Sequence, residues 1–131
     1  MKKSVLLNSE ISAVVAAMGH TDTLTIGDCG LPIRGTERID LCLKKGVPTF
    51  IETLQTVLTE LHVEKAIIAE ETKSVSPQMH NEMLKALGEG VEIEYVSHEE
   101  LKKRSEASRA VIRTGECTSY ANIILSSGVT F

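Results

Sequence analysis

The segment Val63–Ala69 constrains the fold more than any other part of the chain. Its second half, Ala66-Ile67-Ile68-Ala69, is apolar without interruption. A strand with one wet face alternates apolar and polar side chains, whereas an unbroken apolar run suits a strand covered on both faces. Such cover comes from helices, and the flanking sequence offers them. Asn8 is a good N-cap; Ile11, Val14, Val15 and Met18 follow at helical spacing, and Gly19 stops the helix. Pro48 suits the first turn of a second helix, with Phe50, Leu54, Val57, Leu58 and Leu61 as its apolar stripe. Ser76-Pro77 starts a third, with Met79, Met83, Leu84 and Leu87 inside and Gly88 and Gly90 at its end. Ser97-His98-Glu99-Glu100 has the spacing of a capping box and predicts a fourth.

Between these helices lie strand-like segments: Thr21–Gly27, a weaker Arg38–Leu43, Val91–Val96, Ala110–Arg113 and Asn122–Leu125. Strands alternating with helices imply an α/β chain, a three-layer sandwich with a central, largely parallel (mixed) sheet. At 131 residues, with no repeat, low-complexity tract or linker, residues 1–131 are expected to form a single domain. In open α/β sheets ligands sit beyond the carboxyl ends of strands. Here those places are Asp28-Cys29-Gly30, Glu70-Glu71 and Ser97-His98. None carries a phosphate-binding fingerprint, so nucleotide binding has little support.

A net charge of −4 gives no electrostatic footprint for nucleic acid, and no basic amphipathic stretch suits a membrane surface. No apolar run approaches the ~20 residues of a membrane-spanning helix. Asn8-Ser9-Glu10 cuts the run Val5-Leu6-Leu7 too short for a secretory signal, so a soluble, cytoplasmic chain is expected. Cys29, Cys42 and Cys117 form no CxxC pair, so neither a metal site nor a redox motif is expected; the plain reading is buried or half-buried free thiols in a reducing compartment.

Several side chains suit proton transfer or hydroxyl binding. His20, between Gly19 and a strand, has a ring that donates and accepts protons near neutrality; alternatively it is a loop histidine bonded to Asp22. Asp28 can accept from hydroxyls or close an Asx turn. His98, first in its helix, is disfavoured as a cation by the helix dipole, and as a neutral ring it suits a hydroxyl. Lys102 lies four residues on, reaching the same ligand or solvent. Tyr120 and Asn122 share a face if a strand begins there, and offer a phenol and an amide to a polyol. Glu70-Glu71 reads as structural or interfacial, and His62 and His80 as helical residues at the core edge or surface.

A strand over Thr21–Gly27 separates His20 from Asp28 by on the order of 25 Å at ~3.3 Å per residue. One small ligand meets both only between two chains. An obligate oligomer with head-to-tail contacts closing a ring is therefore expected.

Taken together, these segments resemble the family of D-ribose pyranases and L-fucose mutarotases. The resemblance rests on the order and spacing of Gly19-His20-Thr21-Asp22, Asp28-Cys29-Gly30-Leu31-Pro32-Ile33, Arg38-Ile39-Asp40, Gly46-Val47-Pro48, Ala66–Glu71, His98-Glu99, Ala110–Glu116, Tyr120-Ala121-Asn122 and Gly128-Val129-Thr130-Phe131. It covers nearly the whole chain, and the ribose branch is favoured by the runs at Gly19, Gly30 and Gly128. It implies interconversion of the β-pyranose and β-furanose forms of free D-ribose, without a cofactor, alongside ribose uptake and ahead of ribokinase. It implies His20 as the catalytic proton donor and Asp28, His98, Tyr120 and Asn122 as sugar contacts. Ala121 would contribute backbone groups and Lys102 an extra contact. It also implies a decamer of two pentameric rings. A non-catalytic sugar-binding accessory of a transporter, or a mutarotase for another sugar such as L-fucose, are the alternative readings.

Overall fold

The computed structural model describes residues 1–131. In chain order it contains α1 (Ser9–Ala17), β1 (Thr23–Gly27), β2 (Arg38–Asp40), α2 (Phe50–Leu58), β3 (Val63–Ala69), α3 (Glu70–Val75), α4 (Pro77–Leu87), β4 (Glu92–Val96), α5 (His98–Ser105), β5 (Val111–Arg113) and β6 (Ile123–Ser127). The strands form one sheet in the order β2-β5-β1-β6-β3-β4. Five strands run one way, while β6 lies antiparallel between β1 and β3.

The sheet is apolar on both faces, to different extents. One face carries Leu24, Ile26, Ile39, Ala66, Ile68, Ile112, Ile123 and Leu125, which pack with Ile11 of α1, Phe50, Leu54 and Val57 of α2, and Met79 and Met83 of α4. Burying each large aliphatic or aromatic side chain stabilises by about 1.5–3 kcal/mol. The other face holds a smaller cluster, Ile67, Ala69 and Ile124 under Leu101 of α5. Around it the same face is polar: Thr25 Oγ1 bonds Ser108 Oγ at 2.7 Å, and Arg113 bonds Asp40. The unbroken Ala66–Ala69 run is thus covered on both sides, all four residues being buried.

The expected elements are present with shifted ends. Asn8 caps α1, accepting from the Ile11 N–H at 2.9 Å, and Ser97 caps α5, accepting from the Glu100 N–H at 3.1 Å. Each such cap is worth about 1 kcal/mol. Pro48 does not open α2: Thr49 is the N-cap, accepting from the Glu52 N–H at 3.2 Å. β1 starts at Thr23, because Thr21 has a left-handed φ of 69° and the Gly19 N–H donates to Asp22 Oδ2. The strand starting at Asn122 begins instead at Ile123; Tyr120, with φ 62°, sits in a turn, and Tyr120 and Asn122 are not alternating strand residues. Glu70 and Glu71 open a short helix, α3, and His62 lies in the turn between α2 and β3.

The reversal of β6 positions the site. The chain leaves β5 at the sheet edge where the parallel strands end and crosses the end of β1. The Thr114 N–H bonds Gly27 O at 3.0 Å there. It then descends as β6. The turn carrying Tyr120–Asn122 therefore meets the carboxyl ends of β1, β3 and β4. Gly115 anchors this crossing: it donates to Pro48 O and accepts from the Gly46 N–H. A Cβ at Gly115 would collide with the backbone of Val47 and lie 2.6 Å from Lys44 O. Gly115→Ala is predicted to lower unfolding free energy by at least about 2 kcal/mol, measured by urea denaturation.

Candidate functional site

At that edge lies a cleft of about 340 Å³ whose walls include Asp28, His98 and Tyr120, together with Cys29, Glu116 and Cys117. Larger recesses of about 550 and 570 Å³ flank α2 and α4, but hold none of the candidate residues. The smaller cleft is the chemically furnished one.

Asp28 is fixed from two sides. Its N–H donates to Asn122 Oδ1 at 2.9 Å, and Asn122 Nδ2 donates to Asp28 Oδ2 at 3.1 Å. The Gly30 N–H donates to Asp28 Oδ1 at 2.9 Å, the Asx turn foreseen from the sequence. Burial pushes the Asp28 carboxyl above the usual aspartate range. The bonds from Gly30 and Asn122, and the charge of nearby His98, offset only part of that. Two well-oriented oxygens with spare lone pairs thus face the cleft from a rigid support.

His98 is placed by α5 and locked by a neighbour. Its backbone N–H donates to Glu71 Oε2 at 2.9 Å, which gives Glu71 a definite structural task. Its ring meets Tyr120 edge-on, with centroids 5.0 Å apart and planes at 80°. His98 Nδ1 is buried and has no hydrogen-bond partner within the chain. Tyr120 is held in its left-handed conformation by Thr72 Oγ1, which donates to its carbonyl at 3.0 Å. Such a conformation costs a non-glycine residue roughly 1–2 kcal/mol and calls for local support of this kind.

Glu116 stitches the far wall. Its carboxylate accepts from the Phe50 N–H at 3.0 Å and from Thr118 Oγ1 at 2.9 Å. Burial pushes its pKa up, but the bonds from Phe50, Thr118 and Cys117 outweigh that and hold it below the usual glutamate range.

The other candidates lie elsewhere. Asn122 is fully buried, and both ends of its amide are engaged with Asp28. Ala121 is buried in the main core, and its N–H donates to Thr118 O at 3.3 Å. Lys102 does not line the cleft; its ammonium pairs with Glu99 at 2.6 Å. His20 lies at the opposite edge of the sheet, half exposed, with Nε2 at 3.0 Å from both oxygens of Glu64 at the start of β3. Its partner is thus Glu64 rather than Asp22. His80 bonds the Tyr95 hydroxyl at 2.7 Å, away from the cleft. The sequence places Glu70-Glu71 at a strand end and points to a structural role, which Glu71 has; it gives Glu64 and Glu116 no role. Glu116 and the polar run Cys117-Thr118-Ser119 before Tyr120 carried the only signal for that wall.

A polar cleft at the carboxyl edge of an α/β sheet, rich in hydrogen-bonding groups, is chemically suited to a small hydroxylated ligand. The chain belongs to the RbsD / FucU transport protein family, whose profile matches residues 1–130. It is 59% identical to a D-ribose pyranase of Clostridium perfringens (strain ATCC 13124), over the full length of both chains. The structure of Bacillus subtilis RbsD complexed with D-ribose superposes with a TM-score of 0.95 at 45% identity, covering all of both chains. The fold is shared more distantly with the fucose mutarotase from Streptococcus pneumoniae, at a TM-score of 0.73 and 20% identity over the full length of both chains.

The raised Asp28 pKa has a stability consequence. An aspartate easier to protonate when folded favours the fold at low pH. That contribution is lost as pH rises from about 3.8 through the raised native value. Asp28→Asn is predicted to remove this decline. The wild-type minus variant difference in unfolding free energy should fall with rising pH across that window, measured by denaturation at several pH values.

Proposed function

We propose that the protein is an isomerase that interconverts the β-pyranose and β-furanose forms of free D-ribose by opening and reclosing the sugar ring. The observation that carries this reading is the polyol-sized cleft around Asp28, His98 and Tyr120. It stands in a chain 45% identical, over its whole length, to a protein solved with D-ribose. Ring exchange breaks and remakes a hemiacetal. A base takes the anomeric hydroxyl proton, an acid protonates the ring oxygen, and a different hydroxyl closes on the aldehyde. No redox change and no covalent enzyme intermediate are required.

In this reading Asp28 accepts from sugar hydroxyls, and Asn122 works through Asp28 by fixing both its backbone and its carboxylate. His98 and Tyr120 form a wall that hydrogen-bonds hydroxyls; the unpartnered Nδ1 of His98 suits one of them, since buried polar atoms are normally paired. The buried Ala121 shapes the turn between Tyr120 and Asn122. Lys102 reaches the sugar only by giving up its pairing with Glu99.

His20 transfers the protons, supplied by a neighbouring chain. β1 has five residues, ~17 Å at ~3.3 Å each, and it separates His20 from Asp28. A pentose cannot span that. Glu64 engages Nε2, which leaves Nδ1 as the ring nitrogen that can face the neighbouring chain's cleft. Residues 1–131 act as one domain, and the assembly is a closed homo-oligomer, a decamer of two pentameric rings. No helix is long and apolar enough to cross a membrane, and we place the activity in the cytoplasm, between ribose uptake and phosphorylation.

A proton-transferring histidine contributes roughly 10²–10⁴ in rate. His20→Ala is predicted to lower saturable exchange between the ring forms of ribose by that factor while ribose still binds. Saturation-transfer NMR on free ribose measures it. Ribose binding by the wild-type chain without faster exchange would instead favour a non-catalytic sugar-binding accessory.

A further inference from the structure

Cys29 and Cys117 are 88 residues apart in the chain, yet their sulfurs lie 3.7 Å apart at the wall of the cleft. All three thiols are free; Cys29 is half-buried as expected, whereas Cys117 is exposed. Their approach is set by the backbone. The Cys29 N–H donates to Glu116 O at 2.9 Å, and Arg113 Nε donates to Cys29 O at 3.1 Å. Arg113 is itself held by Asp40 at 3.1 Å. The two loops thus present their thiols to each other on a fixed frame.

A disulfide has an S–S length of about 2.05 Å, so the sulfurs need to close by less than ~2 Å. Cys117, the exposed member, meets a solute first. The Cys29 thiol is pushed up by its hydrogen bond to Cys117, then by burial and by the charges of Cys117, Asp28 and Cys42.

We infer that Cys29 and Cys117 form an oxidation site at the cleft, converted reversibly to an intrachain disulfide by hydrogen peroxide. The Cys117 thiolate attacks the peroxide oxygen, breaking the O–O bond. The product is a sulfenic acid, and the leaving hydroxide takes up the proton that Cys117 gave up, as water. The Cys29 sulfur then attacks the Cys117 sulfur. The S–S bond forms, the S–O bond breaks, and the hydroxyl leaves with the Cys29 proton as a second water. Two thiols are oxidised and one peroxide is reduced. A dithiol reverses the bond by exchange. The bond ties the Asp28 loop to the Tyr120 loop, so it narrows the cleft and weakens ribose binding. Bond formation itself does not depend on the sugar reading.

The test treats the purified protein with stoichiometric hydrogen peroxide, alkylates the remaining thiols, and maps peptides by mass spectrometry. The expected result is loss of alkylation at Cys29 and Cys117 only, one peptide pair joined within a chain, and recovery of all three thiols with dithiothreitol. Cys42→Ser should behave alike, whereas Cys29→Ser should leave a dimedone-reactive sulfenic acid at Cys117. Full alkylation after treatment, a bond between chains, or sulfinic acid at Cys117 with free Cys29 would overturn the assignment. Calorimetry with ribose on the oxidised protein should show weaker binding than on the reduced protein. Equal affinity would overturn the link to the cleft.

Discussion

Five residues of extended backbone set the terms for everything else. β1 is pinned between β5 and β6 in the middle of the sheet, so its length cannot flex. Whatever precedes it faces one edge, and whatever follows faces the other. His20 precedes it and Asp28 follows it. If His20 and Asp28 serve one site, as proposed, a chain built this way cannot join them by itself. The proposed function therefore requires a second copy, stacked so that one chain's leading edge meets the next chain's trailing edge.

The trailing edge is furnished by a reversal rather than by the parallel strands alone. Asp28, Glu71 and His98 arrive there because β1, β3 and β4 all end on that side. Tyr120 and Asn122 arrive because β6 runs the other way and begins there. The reciprocal bonding of Asn122 with Asp28 welds the two systems together. The cost of burying a carboxylate is carried at Asp28, where its oxygens are of use to a ligand, while Glu116 and Glu71 serve as struts for backbone N–H groups.

Much of this was legible in the sequence where local chemistry decides. Asn8 and Ser97 capped the helices expected of them, and the Ala66–Ala69 run fixed a central strand with cover on both faces. Periodicity failed where tertiary contacts decide. Pro48 follows a cis peptide and leaves the cap to Thr49. Tyr120 adopts a left-handed turn that alternation cannot anticipate, and α3 forms over six residues with no side-chain cap to announce it. The site residues themselves came from single-residue chemistry and family resemblance. Their supports, Glu64, Glu71 and Glu116, act through contacts 44, 27 and 66 residues away in the chain, which no local pattern encodes.

The central claim is that one working site needs two chains. It is tested most directly by mixing. His20→Ala chains keep the cleft, and Asp28→Ala chains keep the imidazole; each assembly alone should be inactive in ribose ring exchange. After subunit exchange at equal proportions, about one quarter of the junctions pair an intact cleft with an intact neighbouring His20, if neighbours assort at random. The account predicts recovery of about that share of wild-type exchange. Assemblies proven to be mixed by native mass spectrometry, yet still inactive, would contradict it.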